Sequence, residues 1–249
     1  MFIDTHCHIP FDKKEEYVCD AKKNSVNTLV TASEDYASSL MSVQMSNMFD
    51  GVFACVGVHP EHASEFRDED IIKYEELIKD NKVVGIGEIG LDYYYGKENR
   101  ERQIKVFKLF LDLASKYHLP VVIHSRDAYV DTISILKEYN LKGIIHCFTS
   151  SYEVGKEYIK LGYKLGIGGV LTFKNSKLFE AVKRFPKENL VLETDAPFLA
   201  PHPFRGKENS SKYIPIIAEC LAFHLGISKE EVANFTSHNA KEVFDRMSI

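Results

Sequence analysis

Short apolar runs alternate with amphipathic stretches along the whole chain. Eight of these runs read as strands: Phe2–His6, Thr28–Ala32, Val52–Val58, Val83–Ile89, Pro120–Ile123, Gly143–His146, Lys164–Ile167 and Leu190–Glu193. Helical patterns lie between them. In ENRERQIKVFKLFLDLASKYH, the residues Ile104, Phe107, Leu111 and Ala114 recur at helical spacing, and YVDTISILKEYN and SKLFEAVKRF behave likewise. Near the end, SKEEVANFTSHNAKEVF sets Ser228 three residues before Glu231, a capping box that predicts a helix start. No linker, charge block or low-complexity segment interrupts the alternation. Eight strand–helix repeats predict an α/β chain of the TIM-type (β/α)8 barrel class, a single domain over residues 1–249. A doubly wound open sheet would prefer a glycine-rich phosphate turn after its first strand. The opening MFIDTHCHIP has histidines there instead. GIGEIG (85–90) and GIGG (166–169) do not match the dinucleotide pattern, so their glycines are read as room for close backbone approach at strand ends.

The polar residues then fall in one kind of place. His6 and His8 follow FID, His59 follows ACVGV, and Glu88 lies within VVGIGEIGLD. His124 follows PVVI, His146 follows KGII, and Asp195 follows LVLET. Each is at the C-terminal end of a predicted parallel strand, the rim where barrels of this class keep their active sites. His6 and His8, two apart on a strand, project to the same side and are suited to share a divalent ion. A lone histidine after a strand is ordinarily a loop residue or a hydrogen-bonded core residue, and Asp195 before Ala196-Pro197 also fits a plain turn former. A whole series at the same strand ends is not explained that way. Glu88 amid apolar residues needs cations or donors nearby. Together His6, His8, Glu88, His124, His146 and Asp195 make a mixed nitrogen and oxygen set that suits zinc or manganese better than calcium. Six ligands exceed one tetrahedral site, and they fit two ions roughly 3.5–4 Å apart with Glu88 between them. Such a pair activates water and clamps the oxygens of a phosphoryl group. Tyr93-Tyr94-Tyr95 reads either as packing or as a surface for stacking on a base.

Composition narrows the setting. The chain has 249 residues, 45% hydrophobic, enough for a sizeable core. No segment approaches the roughly 18 apolar residues of a membrane span, and the opening does not read as a signal peptide. Five cysteines with no CxxC pair predict a reduced, cytoplasmic setting. A net charge of −5 argues against a general nucleic-acid-coating surface, though bound cations would dominate the field at a site.

The ordered segments FIDTHCHI, GVHPE, GEIGLDYY, IHSRDA, HCFTSS, GIGGVLTFKNS, LETDAPFLAP and FTSHNAKEVF resemble the TatD-like metal-dependent hydrolases of the amidohydrolase superfamily, over nearly the full length. The resemblance implies a deoxyribonuclease that hydrolyses phosphodiester bonds, acting 3′-to-5′ on single-stranded DNA with two divalent ions (zinc, manganese or magnesium). It implies His6, His8, Glu88 and Asp195 around one ion, and Glu88, His124 and His146 around the other. It further implies Asp195 as the water-activating base, so that the catalytic pair is Asp195 and Glu88. His59 matches a rim histidine that meets substrate. Arg126 and Arg205 are placed to meet phosphate, with a salt bridge to a neighbouring acid as the alternative. DNA is the partner implied, with no membrane and no obligate protein partner. Relatives linked to D-aminoacyl-tRNA leave hydrolysis of another ester or amide bond, on the same ions, as the second reading. Three places depart from the family pattern: Ser150, Phe198, and Glu208-Asn209-Ser210-Ser211 where a positive charge is usual. The last departure bears on phosphate binding.

Overall fold

The computed structural model describes residues 1–247. All eight predicted strands are present: β1 (Phe2–Cys7), β2 (Val26–Thr31), β3 (Val52–Val56), β4 (Val83–Asp92), β5 (Val121–Arg126), β6 (Gly143–Ile145), β7 (Tyr163–Ile167) and β8 (Leu190–Leu192). They form one eight-stranded sheet in chain order, β1 through β8, in which β1–β2, β3–β4, β4–β5, β5–β6 and β7–β8 pair in parallel. The helices between and after them are α1 (Lys14–Lys23), α2 (Tyr36–Met48), α3 (Ile71–Leu77), α4 (Arg100–Tyr117), α5 (Tyr129–Leu136), α6 (Tyr152–Lys160), α7 (Leu178–Val182), α8 (Ile214–Leu225) and α9 (Lys229–Val243). This is the (β/α)8 connectivity that the alternation of apolar and amphipathic segments predicts. Among the described residues no helix is long and apolar enough to cross a membrane.

The chain divides into two compact units. The first comprises residues 1–31, 146–159 and 164–242. In it β1 pairs with β2, from Phe2 opposite Val26 to Cys7 opposite Thr31, and β7 pairs with β8 from Leu165 opposite Leu190 to Ile167 opposite Leu192. A parallel bridge between Cys7 and Ala196 ties the end of β1 to the segment after β8. β1 and β8 are buried at every position. Burial on both faces is what a parallel sheet covered by helices demands, and it explains why β8 reads as a continuous apolar run, whereas the buried polar residues of β1, Asp4, Thr5 and His6, need partners. Ser228 and Glu231 cap each other in the predicted way, with the Glu231 N–H donating to Ser228 Oγ at 3.1 Å and the Ser228 N–H to Glu231 Oε2 at 3.0 Å.

The second unit comprises residues 32–145, 160–163 and the chain from Val243. β3, β4, β5 and β6 pair in sequence. β4 runs three residues past its predicted end, and β5 likewise, because Leu91 and Asp92 continue to pair with Ser125 and Arg126. Polar side chains at the end of an apolar run conceal such an extension. On α4 the buried stripe is Gln103, Val106, Phe107, Phe110, Leu111, Leu113 and Ala114, and Ile104 is only half-buried. Gln103 enters the core because its amide satisfies the β4 backbone: Oε1 accepts from the Asp92 N–H and Nε2 donates to the Asp92 carbonyl, both at 2.9 Å. Fully burying one of the large apolar side chains of this stripe, such as Phe107 or Leu111, contributes about 1.5–3 kcal/mol. SKLFEAVKRF makes a shorter helix than its periodicity suggests, only Leu178–Val182.

One glycine decides how closely two strands approach. Gly90 has φ +144°, and a Cβ there would lie 2.0 Å from the carbonyl oxygen of His124, its partner in register. The GIGEIG glycines thus do provide close backbone approach, here beside Glu88 and His124. Gly90→Ala is expected to lower unfolding free energy by roughly 1–3 kcal/mol through this clash, as measured by urea denaturation. An unchanged midpoint would contradict the tight β4–β5 approach.

Candidate metal centre

In the first unit the side chains at the ends of β1 and β8 converge. His6 is fully buried and His8 follows β1 directly. Their Nε2 atoms stand 3.3 Å apart, with the rings edge-on. Asp195 Oδ1 lies 3.6 Å from His6 Nε2 and 3.8 Å from His8 Nε2. Ligands about 2.0–2.1 Å from a tetrahedral ion are about 3.3 Å from one another. Three donor atoms at this spacing therefore fit around one divalent ion. The ring of His146 stacks on that of His6, centroids 4.0 Å apart and 20° from parallel. Behind it lies Glu193, fully buried, with Oε1 3.6 Å from His146 Nδ1 and accepting the Cys147 N–H at 2.5 Å. A side chain at Gly166 would meet Glu193 Oε2 at 2.0 Å, so the glycine of GIGG makes room for this carboxylate.

Asp195 adopts φ +58°, a left-handed conformation that costs a non-glycine residue on the order of 1–3 kcal/mol unless its surroundings impose it. They do. The Asp195 N–H donates to the His6 carbonyl at 3.0 Å, and the His8 N–H to the Ala196 carbonyl at 2.7 Å. Asp4, fully buried, accepts from Thr194 N at 3.0 Å and Thr194 Oγ1 at 2.6 Å. Burial pushes the Asp4 carboxyl up to about 7, against hydrogen bonds from Ser211, Thr194 and the His6 amide. Asn209 donates through Nδ2 to the Thr194 carbonyl at 2.7 Å and the Phe198 carbonyl at 2.5 Å. One residue of the divergent Glu208-Asn209-Ser210-Ser211 stretch is thus a clamp on the loop that carries Asp195.

In the second unit a group forms from β4, β5 and the segment after β3. One ligand atom each from His59, Glu88 and His124 lie within 4.8 Å of one another. Glu88, 3% exposed, has Oε1 2.7 Å from His124 Nδ1 and 3.5 Å from His59 Nε2. The two rings meet edge-on at 4.4 Å. The far side of His124 contacts a further carboxylate, with Nε2 2.9 Å from Asp92 Oδ2. Burial pushes the Asp92 carboxyl up, but hydrogen bonds from His124 and the Tyr94 amide, with the Arg126 charge, outweigh it and hold the group below the usual carboxylate range. Neither Asp92 nor Glu193 is among the residues singled out from the sequence, although Asp92 lies in the GEIGLDYYY segment that carries Glu88 and Glu193 directly follows the apolar run Leu190-Val191-Leu192, the same strand-end signal that marks His124 and His146.

The two arginines sit differently. Arg126 lies flat over the Tyr94 ring at 3.6 Å from its centroid, with Nη1 3.9 Å from Asp92 Oδ2, so it is both half-exposed and loosely paired. Tyr94 and Tyr95 are 55% and 78% exposed, whereas Tyr93 packs and donates its hydroxyl to Asp131 at 2.7 Å. Arg205 is exposed and lies over Phe173 at 3.9 Å. The remaining histidines have ordinary settings: His118 caps α4 in a left-handed conformation, His224 stacks on Phe179, and His238 approaches Glu242.

Parallel (β/α)8 connectivity with histidines and carboxylates grouped at strand ends is the architecture of barrel metal hydrolases. The sequence profile described as TatD related DNase matches residues 3–245, and the chain belongs to that family. It is a TatD-family metal-dependent hydrolase. It is 40% identical over 252 residues to the "Uncharacterized metal-dependent hydrolase YabD" of Bacillus subtilis, covering 98% of this chain and 99% of that protein. The YcfH protein of Escherichia coli, which carries the same description, is 31% identical, covering 98% and 96%. The solved structure of YjjV, a TatD homologue from Escherichia coli, superposes with a TM-score of 0.93 at 28% identity, covering 98% of each chain.

Thr194→Val removes one of the hydroxyl donors to buried Asp4. It is expected to destabilise the fold by about 1–3 kcal/mol in urea unfolding; a loss below a few tenths would show that Asp4 does not depend on it.

Proposed function

We propose that this protein is a divalent-metal-dependent deoxyribonuclease that hydrolyses phosphodiester bonds of single-stranded DNA from the 3′ end. The observation that carries the reading is the convergence of His6 Nε2, His8 Nε2 and Asp195 Oδ1 at the spacing of ligands to one ion. In this reading His6, His8, Glu88 and Asp195 hold one divalent ion, and Glu88, His124 and His146 hold a second, with Glu88 common to both. Bound ions supply charge that lowers the pKa of water and neutralises developing charge on phosphoryl oxygens. Asp195 accepts the proton of the attacking water. The new bond forms from water oxygen to phosphorus, one phosphorus–oxygen ester bond breaks, and the leaving alkoxide takes a proton.

Two further observations support nucleic acid as substrate. The family carries the description of a DNase. The Arg126 guanidinium beside the exposed rings of Tyr94 and Tyr95 combines a phosphate-pairing cation with faces on which unpaired bases stack. Arg205 and His59 complete the substrate contacts of this reading. The protein as a whole is acidic, so affinity for DNA is expected to depend on the ions and these few cations rather than on a broad basic face.

Wild-type protein reconstituted with manganese or zinc is expected to bind two ions per chain and to shorten 3′-blocked oligonucleotides more slowly than unblocked ones. Glu88→Gln and Asp195→Asn are expected to reduce cleavage by about 100-fold or more with the circular dichroism spectrum retained. Chelator-treated enzyme that still cuts DNA would refute the reading. So would a faster rate on D-aminoacyl-tRNA, which would assign the same ions to an ester bond at carbon.

A further inference from the structure

Phe198, one of the three departures from the family pattern, is 55% exposed, yet its backbone is held from several sides. Its N–H donates to the Asp195 carbonyl at 2.8 Å, and its carbonyl accepts Asn209 Nδ2 at 2.5 Å. The Asn209 N–H donates to the Pro197 carbonyl at 2.9 Å. A side chain at Gly169 would collide with the Leu199 carbonyl oxygen, so the loop after β7 presses directly on the next residue. The His202 N–H donates to Thr172 Oγ1 at 2.8 Å and ties down the same loop further on. A single exposed apolar side chain is ordinary on a protein surface. This one is fixed beside the candidate metal ligands. The Phe198 and His8 rings have centroids 6.2 Å apart and planes 71° from parallel, so they meet edge-on and are not stacked. Over half of the phenyl ring stays open. Arg205, on the same loop, is exposed and lies over Phe173 at 3.9 Å.

We propose that Phe198 is the stacking surface for a base that flanks the scissile phosphate, so that the aromaticity of this base is a determinant of specificity. The inference rests on the nuclease reading above and names how that site recognises a single strand. In a nucleotide the base and the phosphate are one sugar apart. A phosphate held at the cluster of His6, His8 and Asp195 therefore brings its base to a ring that lies against His8. Phenylalanine has no hydroxyl to pair with base edges, so recognition is by the π-face alone and tolerates any base. An unpaired base offers such a face, whereas a base inside a duplex has both faces covered by its neighbours. A clamped backbone keeps the ring in place before substrate arrives, which lowers the ordering cost of binding.

The test compares oligothymidylates cut by the manganese-loaded full-length protein. In two of them the 3′-terminal or the penultimate thymidine is replaced by dihydrothymidine, which keeps the carbonyls and the ring N–H but is not aromatic. Wild-type protein is expected to show a KM about 5–20-fold higher at one of the two positions, with a smaller change in kcat. Phe198→Leu, which keeps apolar bulk without an aromatic face, is expected to bring that KM ratio to about one. Phe198→Trp, with a larger face, is expected to raise it. A merely structural role would lower activity on all the oligonucleotides alike and leave the ratio untouched. Circular dichroism and metal content check that each variant is folded and loaded; if Phe198→Leu is not, the wild-type and Phe198→Trp ratios decide. A wild-type ratio near one at both positions overturns the proposal, and so does a ratio that Phe198→Leu leaves unaltered. If the loaded protein cuts none of the oligonucleotides, the nuclease reading fails. The same ratio, taken from equilibrium binding by fluorescence anisotropy, then decides the stacking, and a protein that binds none of them overturns it as well.

Discussion

The hydrogen bonds between the end of β1 and the segment after β8 are the constraint on which the cluster of His6, His8 and Asp195, a candidate metal site, depends. Asp195 donates its amide to the His6 carbonyl, His8 donates to the Ala196 carbonyl, and Thr194 donates to Asp4 through both backbone and hydroxyl. The Asp4–Thr194 pair joins residues 190 positions apart. They hold Asp195 in a backbone conformation it would not choose alone, and they place its carboxylate against two imidazoles. Asn209 and Gly166 serve the same end from outside: one clamps the loop, the other clears space for Glu193 behind His146. Rigid support of this kind is what a metal site needs, because ligand atoms must arrive at fixed spacing before the ion does.

A common design is visible in the second unit, built from different elements. There the β4–β5 register sets Gly90 opposite His124 and Asp92 opposite Arg126, and the glycine lets the strands close where the polar side chains emerge. Glu88 meets His124 and His59, and each histidine is gripped on its far side. In both units a carboxylate stands behind an imidazole, Asp92 behind His124 and Glu193 close to His146. Such outer carboxylates orient the ring and raise the basicity of the ligating nitrogen.

The strands were legible because each contains a short, largely buried apolar run, and the connectivity followed from their alternation with helical patterns. Their ends were less legible. β4 and β5 continue into Leu91-Asp92 and Ser125-Arg126, where polarity suggests a loop but pairing continues. His6 with His8, Glu88, His124, His146 and Asp195 stood out as polar residues at apolar strand ends, and the structure gathers His6, His8 and Asp195 in one group and Glu88 and His124 in another. His59 stood out as well, but its place beside Glu88 did not, because that depends on the turn of residues 60–62. Asp4, Gln103, Asp92, Glu193 and Asn209 were not legible as supports. Their roles lie in hydrogen bonds that depend on the assembled fold, some to residues distant in sequence, and no periodicity encodes such partners. Gln103 shows the cost of reading by pattern alone: a polar residue on the core face of α4 is buried because β4 offers its amide two backbone partners.

Crystals of the protein grown with manganese, measured at wavelengths on either side of the manganese absorption edge, test the central claim most directly. Anomalous peaks are predicted among the imidazole nitrogens of His6 and His8 and the Asp195 carboxylate, and beside Glu88 and His124 Nδ1. Manganese bound only elsewhere on the molecule, with those side chains in hydrogen-bonding distance of one another and no peak between them, would contradict the account.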